Sequence, residues 1–192
     1  MNMSELLKKM ETYADSDYLP MHMPGHKRRM GDLGNPFFID ITEIDGFDDL
    51  HHAEGILKQA EERAAELYGS EETHYLVNGS TSGILASISG CTAAGGTVLL
   101  ARNSHKSAYH AVLLRGLHVH YIYPQPAGKM GINGPVTAEN VDRLLEEHPE
   151  TKMVYITSPT YDGVVSDVER IAEVVHRRKL PLIVDEAHGA HF

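Results

Sequence analysis

Two kinds of apolar spacing alternate along the chain. Short runs in which almost every position is apolar predict strands: HYLVN at 74–78, TVLLA at 97–101, HVHYIY at 118–123, KMVYIT at 152–157 and LPLIVD at 180–185. Between them, near 81–94, 105–115, 138–147 and 167–178, apolar residues recur at helical spacing. The last of these helices has Ser166 and Glu169 at capping-box spacing at its start. Upstream, Ile56, Leu57, Ala60, Ala64 and Leu67 predict a helix over 52–68, with Gly69 placed to end it. Ser4 ahead of ELLKKMETYA predicts a short capped amphipathic helix, and a proline- and glycine-rich arm runs from Leu19 to about Asp49.

Strands alternating with helices at this spacing imply right-handed βαβ crossovers. The predicted fold class is therefore α/β, a mainly parallel sheet with helices on both faces. Residues 1–50 read as an N-terminal helix and arm, and 51–192 as the sheet domain. GKMGINGPVT at 128–137 reads as a surface loop, and no internal repeat is present. Ligands of such sheets sit beyond the carboxyl ends of the strands, which is where attention falls next.

Charge and composition narrow the chemistry. A formal net charge of −10, without clustered Lys and Arg, argues against a nucleic-acid surface and for cationic small molecules. No run reaches the roughly 18 to 20 apolar residues of a membrane helix, and the start of the chain lacks an apolar signal core. A cytoplasmic protein without membrane partners is the expectation. Cys91 is the only cysteine, so no internal disulfide forms, and it reads as a small buried hydrophobe.

Four motifs fall at predicted strand ends. Asn78-Gly79-Ser80-Thr81-Ser82-Gly83 follows a strand and opens a helix. Glycines there let backbone approach a ligand, while free amides, the helix dipole and the hydroxyls of Ser80, Thr81 and Ser82 favour a phosphate. The motif matches neither the dinucleotide nor the nucleoside-triphosphate glycine pattern, and an ordinary N-cap is the competing reading. Asp185 ends LPLIVD and leads into Glu186-Ala187-His188-Gly189-Ala190-His191. A carboxylate at the mouth of a buried strand calls for a cation or a donor, and a protonated pyridine nitrogen would serve. Metal ligation by the same stretch competes, but nothing fixes its groups on one helical face, and no metal is expected. In Arg102-Asn103-Ser104-His105-Lys106-Ser107, His105 reads either as a helix cap or as an imidazole laid flat on an aromatic ligand. Thr157-Ser158-Pro159-Thr160-Tyr161-Asp162-Gly163 reads as a tight turn or as hydroxyls facing a site. A fifth motif, His22-Met23-Pro24-Gly25-His26-Lys27, lies in the early arm.

Taken in order and spacing with the acidic ITEIDGFDDLH segment, these motifs resemble the major domain of the ornithine/lysine/arginine decarboxylases, within the aspartate-aminotransferase-like fold of pyridoxal-phosphate enzymes. The resemblance runs from about His22 to Phe192. It implies pyridoxal 5'-phosphate as cofactor, with Ser80 and Thr81 on the phosphate helped by Ser82. It further implies His105 stacked on one face of the ring and Ala187 on the other, Asp185 on the ring nitrogen, and His188 near the phenolic oxygen or the reacting carbon. The implied reaction is decarboxylation of arginine, lysine or ornithine to the amine and CO2, in a homo-oligomer. The family's Schiff-base lysine belongs some tens of residues beyond the aspartate, and the sequence stops seven residues after Asp185. The expectation is therefore an incomplete large domain, inactive alone. Another enzyme of the same fold, an aminotransferase or aldolase, and a non-catalytic cofactor- or partner-binding remnant are the alternatives.

Overall fold

The computed structural model describes residues 5–19, 34–36, 40–129 and 131–190. The chain divides into two compact units, Met1–Thr73 and His74–Phe192.

In the first unit, α1 spans Glu5–Ala14 and α2 spans Ile56–Tyr68. Ser4 lies outside the described residues. α2 begins four residues later than its apolar spacing predicts, because its first turn is capped from a distance. Gly55 at the N-cap has no side chain to offer. Instead the Asp48 carboxylate accepts the N–H groups of Glu54 (3.1 Å), Gly55 (2.8 Å) and Leu57 (3.1 Å), besides that of Asp49 (3.0 Å). Four donors on one carboxylate stabilise its charged form and lower its pKa from 3.8 to about 2, the Glu54 N–H contributing most. At the far end Gly69 adopts φ 66°, a left-handed turn that closes the helix as its position predicts.

The second unit holds α3 (Gly79–Cys91), β1 (Thr97–Ala101), α4 (Lys106–Arg115), β2 (His118–Ile122), α5 (Ala138–Glu147), β3 (Thr151–Thr157), α6 (Val168–Arg177) and β4 (Leu182–Asp185). The strands form one sheet in the order β2-β1-β3-β4, with every pairing parallel. The α/β class expected from the alternating pattern is thus observed.

Side chains of a strand alternate between faces, and here both faces are covered. Leu99 and Ala101 of β1, with Val154 and Ile156 of β3, pack under Val141, Leu144 and Leu145 of α5 and Ile171 and Val175 of α6. Val98 and Leu100, with Met153 and Tyr155, pack under Ile84 and Ile88 of α3 and Ala108 and Ala111 of α4. Two-sided burial is why β1 and β3 read as continuous apolar runs rather than alternating ones.

Three local expectations are corrected. HYLVN is not a strand: no ladder pairing involves 74–78, and Tyr75, Leu76 and Val77 are exposed. A strand needs a neighbour for its N–H and C=O groups, and none of the four described strands supplies one to this segment; Leu76 instead folds against Gly83. The cap of α6 is Asp167, which accepts from the Arg170 N–H at 3.1 Å, while Ser166 is engaged by the Val136 N–H at 3.0 Å. Cys91 is exposed, since the buried stripe of α3 ends at Ile88 and Thr92 turns its hydroxyl back to the Ile88 carbonyl at 2.6 Å. Among the described residues no helix is long and apolar enough to cross a membrane.

The depressed pKa of Asp48 sets a pH window. Its contribution to α2 is complete above the ordinary carboxylate value of 3.8 and disappears as pH falls through about 2. Amide exchange at Glu54, Gly55 and Leu57 should accelerate over that range, and in Asp48→Ala it should be fast already at neutral pH.

Candidate functional site

Chain direction brings the chemistry-bearing residues to one edge. The C-terminal end of α3 leads through a short turn into β1, and the C-terminal end of α4 through Gly116 and Leu117 into β2. Arg115, at the end of α4, donates to the Thr92 carbonyl at 2.8 Å and accepts through its own carbonyl from the Gly95 N–H at 3.0 Å. The two helices therefore end together at the amino edge of the sheet and begin together at its carboxyl edge. α3 packs beside α4 and touches β4.

Asp185 is the last residue of β4, two positions after Ile183, so it lies on the α3/α4 face. It pairs in register with Thr157, which lies two positions after Tyr155 on that same face. Asp185 is only 7% exposed. Its carboxylate accepts from the Tyr155 hydroxyl at 3.0 Å and from the Ala187 N–H at 3.1 Å. Among the described residues it has no cationic partner. Burial, and then the Asp185 charge, push the Tyr155 phenol far above its ordinary value, while the neighbouring Thr157 hydroxyl pulls weakly the other way. Tyr155 stays a neutral donor at every ordinary pH. Asn103 Oδ1, also buried, has no hydrogen-bond partner among the described residues, and Thr157 Oγ1 lies near the Tyr155 hydroxyl without meeting hydrogen-bond geometry. Such orphans at a ligand edge are what an absent polar group would satisfy.

At the start of α3, Gly79 has φ 65°, and Asn78 makes no side-chain cap. The first amides of the helix are left open, as they are where an anion binds. Ser80 and Thr81 are exposed, and neither hydroxyl has a partner among the described residues. Ser82 differs: its hydroxyl donates to the Gly79 carbonyl at 3.0 Å, inside its own turn.

His105 caps α4. Its Nδ1 accepts from the Ser107 N–H at 3.3 Å and lies 2.7 Å from the Ser107 hydroxyl, which anchors one ring edge and leaves the exposed ring free. The capping reading of this histidine is observed, and it orients the imidazole rather than consuming it. Two strand spacings, about 10 Å, separate the end of β1 from the end of β4. Beyond β4, Ala187 and His188 are exposed, and His188 meets Tyr161 edge-on with centroids 5.6 Å apart. A Cβ on Gly189 would overlap the Pro159 ring, so the two loops leaving β3 and β4 are in close contact.

The carboxyl edge thus gathers Ser80, Thr81, Ser82, His105, Asp185, Ala187 and His188. The motif at His22–Lys27 and His191 lie outside the described residues. Thr160 belongs to a turn, its hydroxyl accepting from the Val164 N–H at 3.2 Å. Tyr155 was absent from the sequence reading of the site. Its signal was the same-face periodicity of KMVYIT, where Tyr155 is two residues from Thr157 and hence under the edge.

The profile of the family described as Orn/Lys/Arg decarboxylase, major domain, matches residues 5–192. The Bacillus subtilis protein YaaO is 39% identical over 199 residues, covering 97% of this chain and 40% of its own length. An arginine decarboxylase of Halalkalibacterium halodurans is 35% identical over 187 residues, covering 93% of this chain and 38% of its own. The chain therefore spans about two-fifths of the length of these relatives. Among solved structures, pyridoxamine-pyruvate aminotransferase from Mesorhizobium loti superposes with a TM-score of 0.54 at 19% identity, over 67% of this chain and 32% of its own. That likeness concerns the fold.

The Tyr155 hydroxyl is the testable support of Asp185. Tyr155→Phe removes one of two donors to a buried carboxylate and should destabilise the unit by about 1 to 3 kcal/mol in urea unfolding. Because the native phenol resists ionisation, wild-type stability should also fall as pH rises above the unfolded value of 10.0. That alkaline slope should diminish by about one proton in Tyr155→Phe, and an unchanged slope would remove the assigned role.

Proposed function

This chain belongs to the Orn/Lys/Arg decarboxylase family through its major domain, and from that premise we propose that the whole protein decarboxylates a basic amino acid with pyridoxal 5'-phosphate, yielding the amine and CO2. The observation that carries the reading is the buried Asp185 carboxylate, held by two neutral donors and without a cation among the described residues, on the same edge as the open start of α3. The donor set fits the cofactor. An anion suits the uncapped amides and free hydroxyls of α3, and a protonated heterocycle suits Asp185. The orphaned Thr157 Oγ1 is a further polar atom available to a ligand.

Pyridoxal phosphate, when bound, supplies a positively charged ring that accepts the electron pair left behind as a carboxylate departs as CO2. Each protein group has a distinct task. Asp185 would hold the proton on the ring nitrogen, and Tyr155 and the Ala187 N–H keep that carboxylate aimed. Ser80 and Thr81 would bind the phosphate. Ser82, whose hydroxyl is engaged by Gly79, contributes by shaping the same turn. His105, oriented by its cap on α4, would lie against one face of the ring and Ala187 against the other. His188 would hold or move a proton near the phenolic oxygen or the reacting carbon. The net charge of −10 suits a cationic substrate, so arginine, lysine or ornithine is the proposed small-molecule partner. A cytoplasmic homo-oligomer is the proposed setting.

The whole protein should release CO2 from at least one of these three amino acids. Asp185→Asn should lower kcat by about a hundredfold or more, because an amide does not hold the ring proton. Ser80→Ala and Thr81→Ala should each weaken cofactor affinity by about tenfold, read by cofactor absorbance on dialysis. Amino-group transfer to a keto acid with all three substrates inert would replace the decarboxylase reading by that of an aminotransferase.

A further inference from the structure

We propose that His120, His148 and Glu150 form a binding site for a divalent transition-metal ion, of the Zn2+ class, at the amino edge of the sheet. One ligand atom from each lies within 4.8 Å of the others. His120 Nε2 is 3.3 Å and His148 Nδ1 3.6 Å from the same Glu150 oxygen, Oε1. The two imidazoles lie face to face, centroids 3.4 Å apart and planes 10° from parallel. Two imidazoles and one carboxylate are the donor set that Zn2+ and its neighbours in the first row prefer, with water completing a tetrahedron.

Backbone geometry holds these donors in place. His120 is the central residue of β2 and pairs in register with Leu99 of β1. His148 is the C-cap of α5, and its carbonyl accepts both the Thr151 N–H at 3.1 Å and the Thr151 hydroxyl at 2.7 Å. That tight turn presents His148 and Glu150 side by side just before β3. One adjustment is required for binding. Nearly parallel rings direct their in-plane lone pairs alongside each other, so one imidazole must turn to make them converge. The side chains of His120 and His148 are 36% and 27% exposed, so the turn needs no rearrangement of the core.

The site is distinct from the carboxyl-edge constellation and does not depend on the function proposed above. It lies toward the opposite end of the strands, on the face covered by α5. It is also remote in sequence from the DEAHGAH stretch at 185–191. A bound ion would tie the edge strand β2 to the turn that feeds β3, and so would stabilise the native sheet by mass action.

The test is titration of the whole protein with Co2+, followed by its visible absorption, with Zn2+ in competition. One equivalent should bind, and Glu150→Gln and His120→Ala should each weaken binding by at least about tenfold. Saturating Zn2+ should raise the thermal midpoint of the wild type by about 5 °C and leave that of Glu150→Gln almost unchanged. Glu150→Gln is an exposed, isosteric change, so it keeps the test valid if His120→Ala fails to fold. Absence of stoichiometric binding by folded wild type, or binding of equal strength in Glu150→Gln, overturns the proposal, the latter by assigning the ion to other histidines.

Discussion

Burial of β1 and β3 on both faces is the constraint from which the rest of the second unit follows. A strand with Val98 and Leu100 on one side and Leu99 and Ala101 on the other needs a helical layer above and below. Parallel pairing then obliges every connection to return the full length of the sheet, and a helix is the economical way to do so. Once the helices run antiparallel to the strands they connect, their N-termini and the strand C-termini share an edge. The open amides of α3, the capped start of α4 and the carboxylate ending β4 are neighbours for that topological reason. No direct interaction among them is needed to bring them together.

Asp185 shows how such an edge stores a chemical demand. A carboxylate at 7% exposure loses most of its water, and two neutral hydrogen bonds replace only part of what is lost. One of those donors is itself shaped by the interaction, since the Asp185 charge and burial both hold the Tyr155 phenol in its protonated state. The residue is therefore left without a charged partner among the described residues. Thr157, the register partner of Asp185 on β3, carries a buried Oγ1 with no hydrogen-bond partner among the described residues at the same edge.

How much of this was legible in the sequence depended on the range of the interaction involved. Periodicity located α3 to α6 and β1 to β4 because each is decided by which face it buries. The aspartate closing LPLIVD is legible because its chemistry is tied to a strand end, and NGSTSG because glycines and hydroxyls open a helix there, although no strand precedes it among the described residues. HYLVN was misread because its composition fits a strand while strand formation depends on a partner edge that composition does not encode. The true start of α2 was missed because its cap is Asp48, seven residues before the N-cap position, beyond any local capping pattern. Tyr155 was hidden inside an apolar run, where its hydroxyl counts only once β3 and β4 are known to be adjacent. His120 was unremarkable in sequence for the same reason, since twenty-eight residues separate it from His148.

Concavity and unmet hydrogen-bonding capacity point to different places on this sheet. A surface hollow between α5 and α6 is lined by Glu139, Asp142, Arg170 and Arg177 among others. Its charges already answer one another: Arg170 meets Glu139 at 2.7 Å, and Asp142 is met by Arg178 at 2.6 Å and Arg177 at 3.8 Å. A ligand entering there would have to displace ion pairs already formed. At the carboxyl edge of the other face Asp185 is buried with neutral donors only, and Thr157 Oγ1 and Asn103 Oδ1 have no hydrogen-bond partner among the described residues. Unmet hydrogen-bonding capacity in a dry place favours an incoming ligand far more than concavity does, and that criterion supports the α3/α4 edge as the place of the cofactor proposed above.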